Sequence, residues 1–134
     1  MSIPLSGTVK RSAGVYSALS KQLRGVNLKP VKKISISFDP FGNKTGPTRS
    51  LMYYLTGPKI ANTNPNCRVK AQVLCDRSEP SVTFNLNSGE NIIFKTSNLT
   101  VLELLQLFNK YISSQAPVEE PVVELKTKSE KKRR

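Results

Sequence analysis

The stretch ISFDPFGNKTGPTRSLMYYL, residues 36–55, decides how the chain is read. Ile36 and Phe38 flank Ser37 at the end of an alternating run, the signature of a half-buried strand. A loop with two glycines, Lys44 and two threonines follows. Leu51, Met52, Tyr54 and Leu55 then recur at helical spacing, and Pro47 suits the first helical turn, where its missing N–H is not needed. Strand, loop, helix is the layout of a phosphate-binding loop. It is equally the layout of a dithiol redox site.

Neither chemistry is present. A phosphate loop of the Walker type needs G-x-x-x-x-G-K-[ST], with lysine directly after the second glycine. Here Lys44 and Thr45 precede Gly46, and Pro47 removes an N–H that such a loop aims at phosphate. A dithiol site wants Cys-x-x-Cys at the helix start, which lowers the thiol pKa, and residues 38–48 contain no cysteine. The two cysteines, Cys67 and Cys75, fall on one face of one predicted strand, about 26 Å apart at ~3.3 Å per residue. A disulfide needs Cα atoms within about 7 Å. They therefore read as buried, small apolar residues of a reducing compartment. Histidine is absent, which removes ordinary zinc spacings and the Ser–His and Cys–His nucleophile pairs. Asp76 and Glu79 are the nearest approach to paired carboxylates, and Glu79 reads as an acceptor for turn N–H groups. No catalytic residues, metal ligands or cofactor site are assigned.

Charge points elsewhere. The net +12 divides as +7 over residues 1–38, zero over 39–125 and +5 over 126–134. Two basic ends around a neutral middle suit a polyanion longer than the domain, and phosphate neutralisation releases counterions on binding. No run approaches the ~18 apolar residues of a spanning helix, so no membrane insertion is expected.

Residues 1–29 read as a basic arm with one short helix, in which Ser12 caps a stripe of Val15, Leu19 and Leu23 and Gly25 ends it. The segment is rich in Ser, Lys and Arg and free of acid, as a mitochondrial transit sequence is; a helix docking on its own domain fits equally. Residues 30–113 form the domain. KKISISF opens it, and residues 58–65 read as a connector after the first helix. NCRVKAQVLC follows, with Cys67, Val69, Ala71, Val73 and Cys75 on one face. SVTFNLN and NIIFK, joined at Ser88-Gly89, read as a hairpin. Thr100 and Glu103 form a capping box, with Leu99 and Leu104 as its hydrophobic staple. Val101, Leu104, Leu105, Phe108, Tyr111 and Ile112 make that helix's apolar face. Residues 114–134 are a charged tail. Polar residues alternate along three strands, so helices should cover mainly one face of a four-stranded mixed sheet. The other face, more Ser, Thr, Asn and Gln than Lys, reads as a poor candidate for the main RNA surface and suits solvent or a neighbouring protein.

From about Leu28 to Tyr111 the chain resembles the mitochondrial large-subunit ribosomal protein family numbered fifty-three. The matching residues are Lys29-Pro30-Val31-Lys32, Phe38-x-Pro40-Phe41, Thr48-Arg49, Asn66-Cys67, Ser78-Glu79-Pro80, Gly89, and Leu99-Thr100 with Glu103. The resemblance implies a thioredoxin-like α/β fold without redox activity, built into the large subunit in the mitochondrial matrix. It implies ribosomal RNA and other large-subunit proteins as partners, and no small-molecule substrate. The middle helix that such a fold ordinarily places between its second and third strands is replaced here by DRSEP.

The expected phosphate contacts are Lys10, Arg11, Lys21, Arg24, Lys29, Lys32 and Lys33 at one end and Lys131, Lys132, Arg133 and Arg134 at the other. Such contacts position a protein on RNA without reading sequence. Arg49, with Thr48, at a helix N-terminus could meet a further phosphate; an ion pair with Asp39 is the equal alternative. The tyrosines and phenylalanines fall mostly on apolar faces, which leaves no platform for stacking single-stranded bases. Two other readings are an accessory subunit of a mitochondrial respiratory complex and a thiol oxidoreductase.

Overall fold

The computed structural model describes residues 14–117. Its elements in order are helix α1 (Val15–Gly25), strand β1 (Val31–Phe38), α2 (Gly46–Thr56), the one-turn α3 (Pro58–Ala61), β2 (Arg68–Val73), β3 (Ser81–Leu86), β4 (Asn91–Lys95) and α4 (Val101–Tyr111), followed by a 3-10 turn at Ser113–Gln115. The chain is α/β with a four-stranded mixed sheet in the order β2-β1-β3-β4. Strands β1 and β2 are parallel; β3 is antiparallel to both β1 and β4. The segment after β2 therefore passes β1 to reach β3 on its far side, and no helix is inserted there.

Alternation places Val31, Ile34, Ile36 and Phe38 of β1, Val82, Phe84 and Leu86 of β3 and Phe94 of β4 on one face, all buried. Leu51 and Leu55 of α2 and Leu104, Leu105 and Phe108 of α4 close over them in a single core. Phe84 lies edge-on to Phe94 at 5.1 Å and to Phe108 at 5.3 Å, which ties the hairpin to α4.

Helix α1 packs against α4. Leu19 enters the core, and Asn109 Nδ2 donates to the Gln22 carbonyl and to Gln22 Oε1, both at 2.9 Å. The helix follows Gly14 with no side-chain cap; Ser12, the expected cap, lies outside the described residues. The expected capping box on α4 is complete. Thr100 Oγ1 accepts the Glu103 N–H, and Glu103 Oε2 accepts the Thr100 N–H at 2.8 Å. The predicted connector 58–65 contains α3, whose Ile60 is buried, so it adds to the core as well as joining elements.

Strand β2 departs from expectation. Register pairs Val69, Ala71 and Val73 with Ile34, Ile36 and Phe38, so they do share one face as predicted. That flank is nevertheless uncovered: every residue of β2 is exposed, Val73 at 61%. Core side chains of α2 and α4 close over the other strands and α1 is packed on α4, whereas the edge strand borders an open cleft in which Val69 faces Leu55 and Ala61. Cys67 is only half-buried and Cys75 is exposed; both are free thiols. The reading of both as buried core residues is thus corrected.

Candidate nucleic-acid interface

The loops at the carboxyl ends of β1 and β2 enclose a cleft of about 670 Å³, lined in part by Asp39, Phe41, Lys44, Cys75, Arg77 and Glu79. This is where the opening stretch would place chemistry. Two of its charged side chains, Asp39 and Lys44, are engaged elsewhere. Asp39 is buried, and its Oδ1 and Oδ2 accept the N–H groups of Phe41 at 2.9 Å and Arg77 at 3.0 Å. Lys44, at φ 70, donates from Nζ to Asn98 Oδ1 at 2.8 Å. Thr48, expected at a phosphate, is buried and bonds Thr96 Oγ1 at 2.6 Å. Thr96 in turn donates to the Pro80 carbonyl at 3.0 Å. Thr48 points inward because its position on α2 faces the sheet, and the expectation for it is corrected. Arg49 is exposed on the adjoining helix position, and the alternative of an ion pair with Asp39 is replaced by the two backbone bonds. The turn acceptor is Asp76 rather than Glu79: Asp76 Oδ1 accepts the Ser78 N–H at 3.0 Å. The nearby Ser78 hydroxyl and the hydrogen bond from the Ser78 N–H hold the Asp76 carboxyl below its ordinary range.

The open face of the sheet is different in character. Register lines up twelve side chains across the four strands in three rows. The first row reads Arg68, Lys33, Asn85, Asn91; the second Lys70, Ser35, Thr83, Ile93; the third Gln72, Ser37, Ser81, Lys95. No carboxylate occurs among them. Four cations frame hydroxyls and amides, and Ile93 is the one apolar member, 61% exposed. Local sequence explains the corner at Lys33. The β1–β3 register shifts between Val31 and Lys33, so Val31 and Ile34 both enter the core and both intervening lysines, Lys32 and Lys33, stay exposed. Ser37 and Ser81 join through their hydroxyls at 2.9 Å, which orders the centre of the third row.

The predicted phosphate contacts are thus dispersed. Lys10, Arg11, Lys131, Lys132, Arg133 and Arg134 lie outside the described residues. Lys21 and Arg24 are exposed on α1; Lys29 is half-buried, its carbonyl accepting from Asn87 Nδ2 at 3.0 Å. Among the described members of the predicted set, Lys33 sits on the open face beside Arg68, with Lys70 in the next row and Lys95 at the opposite corner, three cations that reading along the chain did not single out. The signal was present in the outward alternation of β2 and β4. What was missing was the lateral alignment that sets four strands' outward residues side by side.

Residues 38–89, from the last residue of β1 to the glycine of the β3–β4 turn, match the family model described as 39S ribosomal protein L53/MRP-L53. The match spans the Asp39 loop, α2, the uncovered β2 and all of β3.

Proposed function

From the premise that residues 38–89 place the chain in this mitochondrial ribosomal protein family, we propose that it binds ribosomal RNA and neighbouring large-subunit proteins as a structural constituent. The family is of the mitochondrial ribosome, and its role there is structural; the chain is not an enzyme. The observation that carries the RNA assignment is the division of charge, +7, zero and +5 along the chain. The neutral segment 39–125 needs no basic ends for its own folding, and net charge of one sign strains a compact state. Those ends suit a phosphate backbone that extends past the domain on both sides. The arms 1–29 and 114–134 flank a thioredoxin-like domain over 30–113, whose sheet order is the reason for reading it so. Neighbouring proteins find apolar surface at Val69 and Val73 on the uncovered flank of β2, and at Phe41, which is 92% exposed.

The test is a sucrose-gradient profile of mitochondrial lysate, with and without RNase, probed for this chain. Co-migration with the large subunit that is lost after RNase is the expected result. Migration in an RNase-insensitive membrane complex would overturn the RNA assignment and favour a respiratory accessory subunit.

A further inference from the structure

We propose that the open face of the sheet is a docking surface for the minor groove of duplex RNA, an inference that rests on the RNA-binding reading above. In this arrangement Lys33, Arg68 and Lys70 meet phosphates at one corner and Lys95 meets them at the opposite corner. The hydroxyls and amides between them meet ribose 2′-hydroxyls.

Three features of the face select this occupant. The first is its charge, four cations and no carboxylate among twelve positions, on a domain over 30–113 that has ten basic and five acidic residues. The domain's five acids, Asp39, Asp76, Glu79, Glu90 and Glu103, all lie off the face, so its cations have no carboxylate beside them there. The second is its apolar content. Protein-binding surfaces concentrate aromatic residues at their centre and are depleted in lysine and serine; this face has serines and a threonine at its centre and no aromatic ring. The lack of aromatic rings also removes the stacking platform on which unpaired bases are held.

The third feature is shape. A duplex of A-form RNA presents a wide, shallow minor groove lined with 2′-hydroxyls, which is recognised by its form and by contacts to hydroxyls and phosphates. A four-stranded sheet spans about 14 Å from first to last strand at ~4.8 Å per step. Arg68 in the first row on β2 and Lys95 in the third row on β4 occupy diagonal corners, roughly 19 Å apart by the same spacings. A cationic cluster, a neutral hydrogen-bonding middle and a second cation match phosphate strand, groove and phosphate strand. The face is free for this because no helix joins β2 to β3 across it.

The experiment uses the full chain and two probes of one arbitrary sequence, a 20-base-pair RNA duplex and the corresponding DNA duplex, across a series of KCl concentrations. The variant Lys33→Gln/Arg68→Gln/Lys70→Gln should weaken RNA-duplex binding by about ten-fold or more and reduce the salt slope by roughly two to three. Lys95→Gln, on another strand, should reduce the slope by about one. Thr83→Val should leave the slope unchanged and diminish the preference for RNA over DNA. Far-UV circular dichroism and thermal unfolding matching the parent confirm that each variant is folded. Wild-type binding by both lysine/arginine variants, with binding lost when Lys131, Lys132, Arg133 and Arg134 are changed to Gln, would overturn the face and leave the RNA assignment standing. RNA binding unaffected by any of these changes, or absent from the parent, would overturn both. Equal losses on RNA and DNA with no effect of Thr83→Val would overturn the minor-groove assignment.

Discussion

The Asp39 carboxylate accepts the backbone N–H of Arg77 at 3.0 Å, across 38 residues of chain, and thereby ties the loop after β1 to the segment that carries the chain from β2 to β3. Its other oxygen accepts the Phe41 N–H, so one buried side chain shapes both loops at this end of the sheet. Arg77 adopts φ 56 at the point of attachment, a left-handed conformation that the hydrogen bond helps to hold. Asp39→Ala leaves two N–H groups without that acceptor, and we expect a loss of about 2–3 kcal/mol in urea unfolding. Asp39→Asn retains one acceptor oxygen and should cost less. Equal stability of Asp39→Ala and the parent would show that water replaces the carboxylate.

The buried Thr48–Thr96 pair makes an ordered comparison. Thr96 donates to the Pro80 carbonyl, so Thr48 is the donor in the 2.6 Å bond between the hydroxyls. Thr48→Val removes one hydrogen bond and leaves Thr96 still donating, at a cost of about 1 kcal/mol. Thr96→Val strands the Thr48 hydroxyl in the core and should cost more, about 2 kcal/mol. Chemical denaturation of both variants checks the order, and a reversed order would exclude this direction of donation.

The capping box makes α4 sensitive to acid. Hydrogen bonds from the Thr100 N–H and hydroxyl hold the Glu103 carboxyl below its ordinary range. A carboxyl whose pKa is lower in the folded than in the unfolded chain contributes stability above its unfolded pKa, and that contribution is lost as pH falls through the folded value. Thermal unfolding followed below about pH 4.3, the ordinary glutamate value, should therefore show a loss of stability in the parent that is smaller in Glu103→Gln. Identical profiles would mean that the box does not act through the charged carboxylate. At neutral pH, Thr100→Ala should cost about 1 kcal/mol.

The two thiols should separate kinetically. Burial pushes the Cys67 thiol up, whereas Cys75 is exposed beyond the end of β2. Alkylation by iodoacetamide on the native chain, followed by peptide mass spectrometry, should label Cys75 first and Cys67 several-fold more slowly. Faster labelling of Cys67 would contradict the packing of that strand end.

Local signals carried much of the fold. The Thr100–Glu103 box, the Ser88-Gly89 turn and the alternation of Val82, Phe84 and Leu86 were all legible because capping, turn geometry and strand period depend on residues a few positions apart. The inert opening loop was legible too, since a misplaced lysine and a missing cysteine are properties of order and composition. Burial along β2 was not. Alternation told which residues share a side, and Val69, Ala71 and Val73 do share one, but whether that side is covered depends on where the helices of distant segments come to rest. The buried role of Asp39 and the inward turn of Thr48 belong to the same class, because their partners Arg77 and Thr96 are set beside them only by the crossing from β2 to β3. The row of Lys33 with Arg68 and the corner at Lys95 arise likewise from register between strands, which is a property of backbone pairing across the sheet. Sequence alone determined the strands, the caps and the charge of the ends; tertiary structure decided which face is bare and which cations stand together on it, because both are set by contacts between residues far apart in the chain.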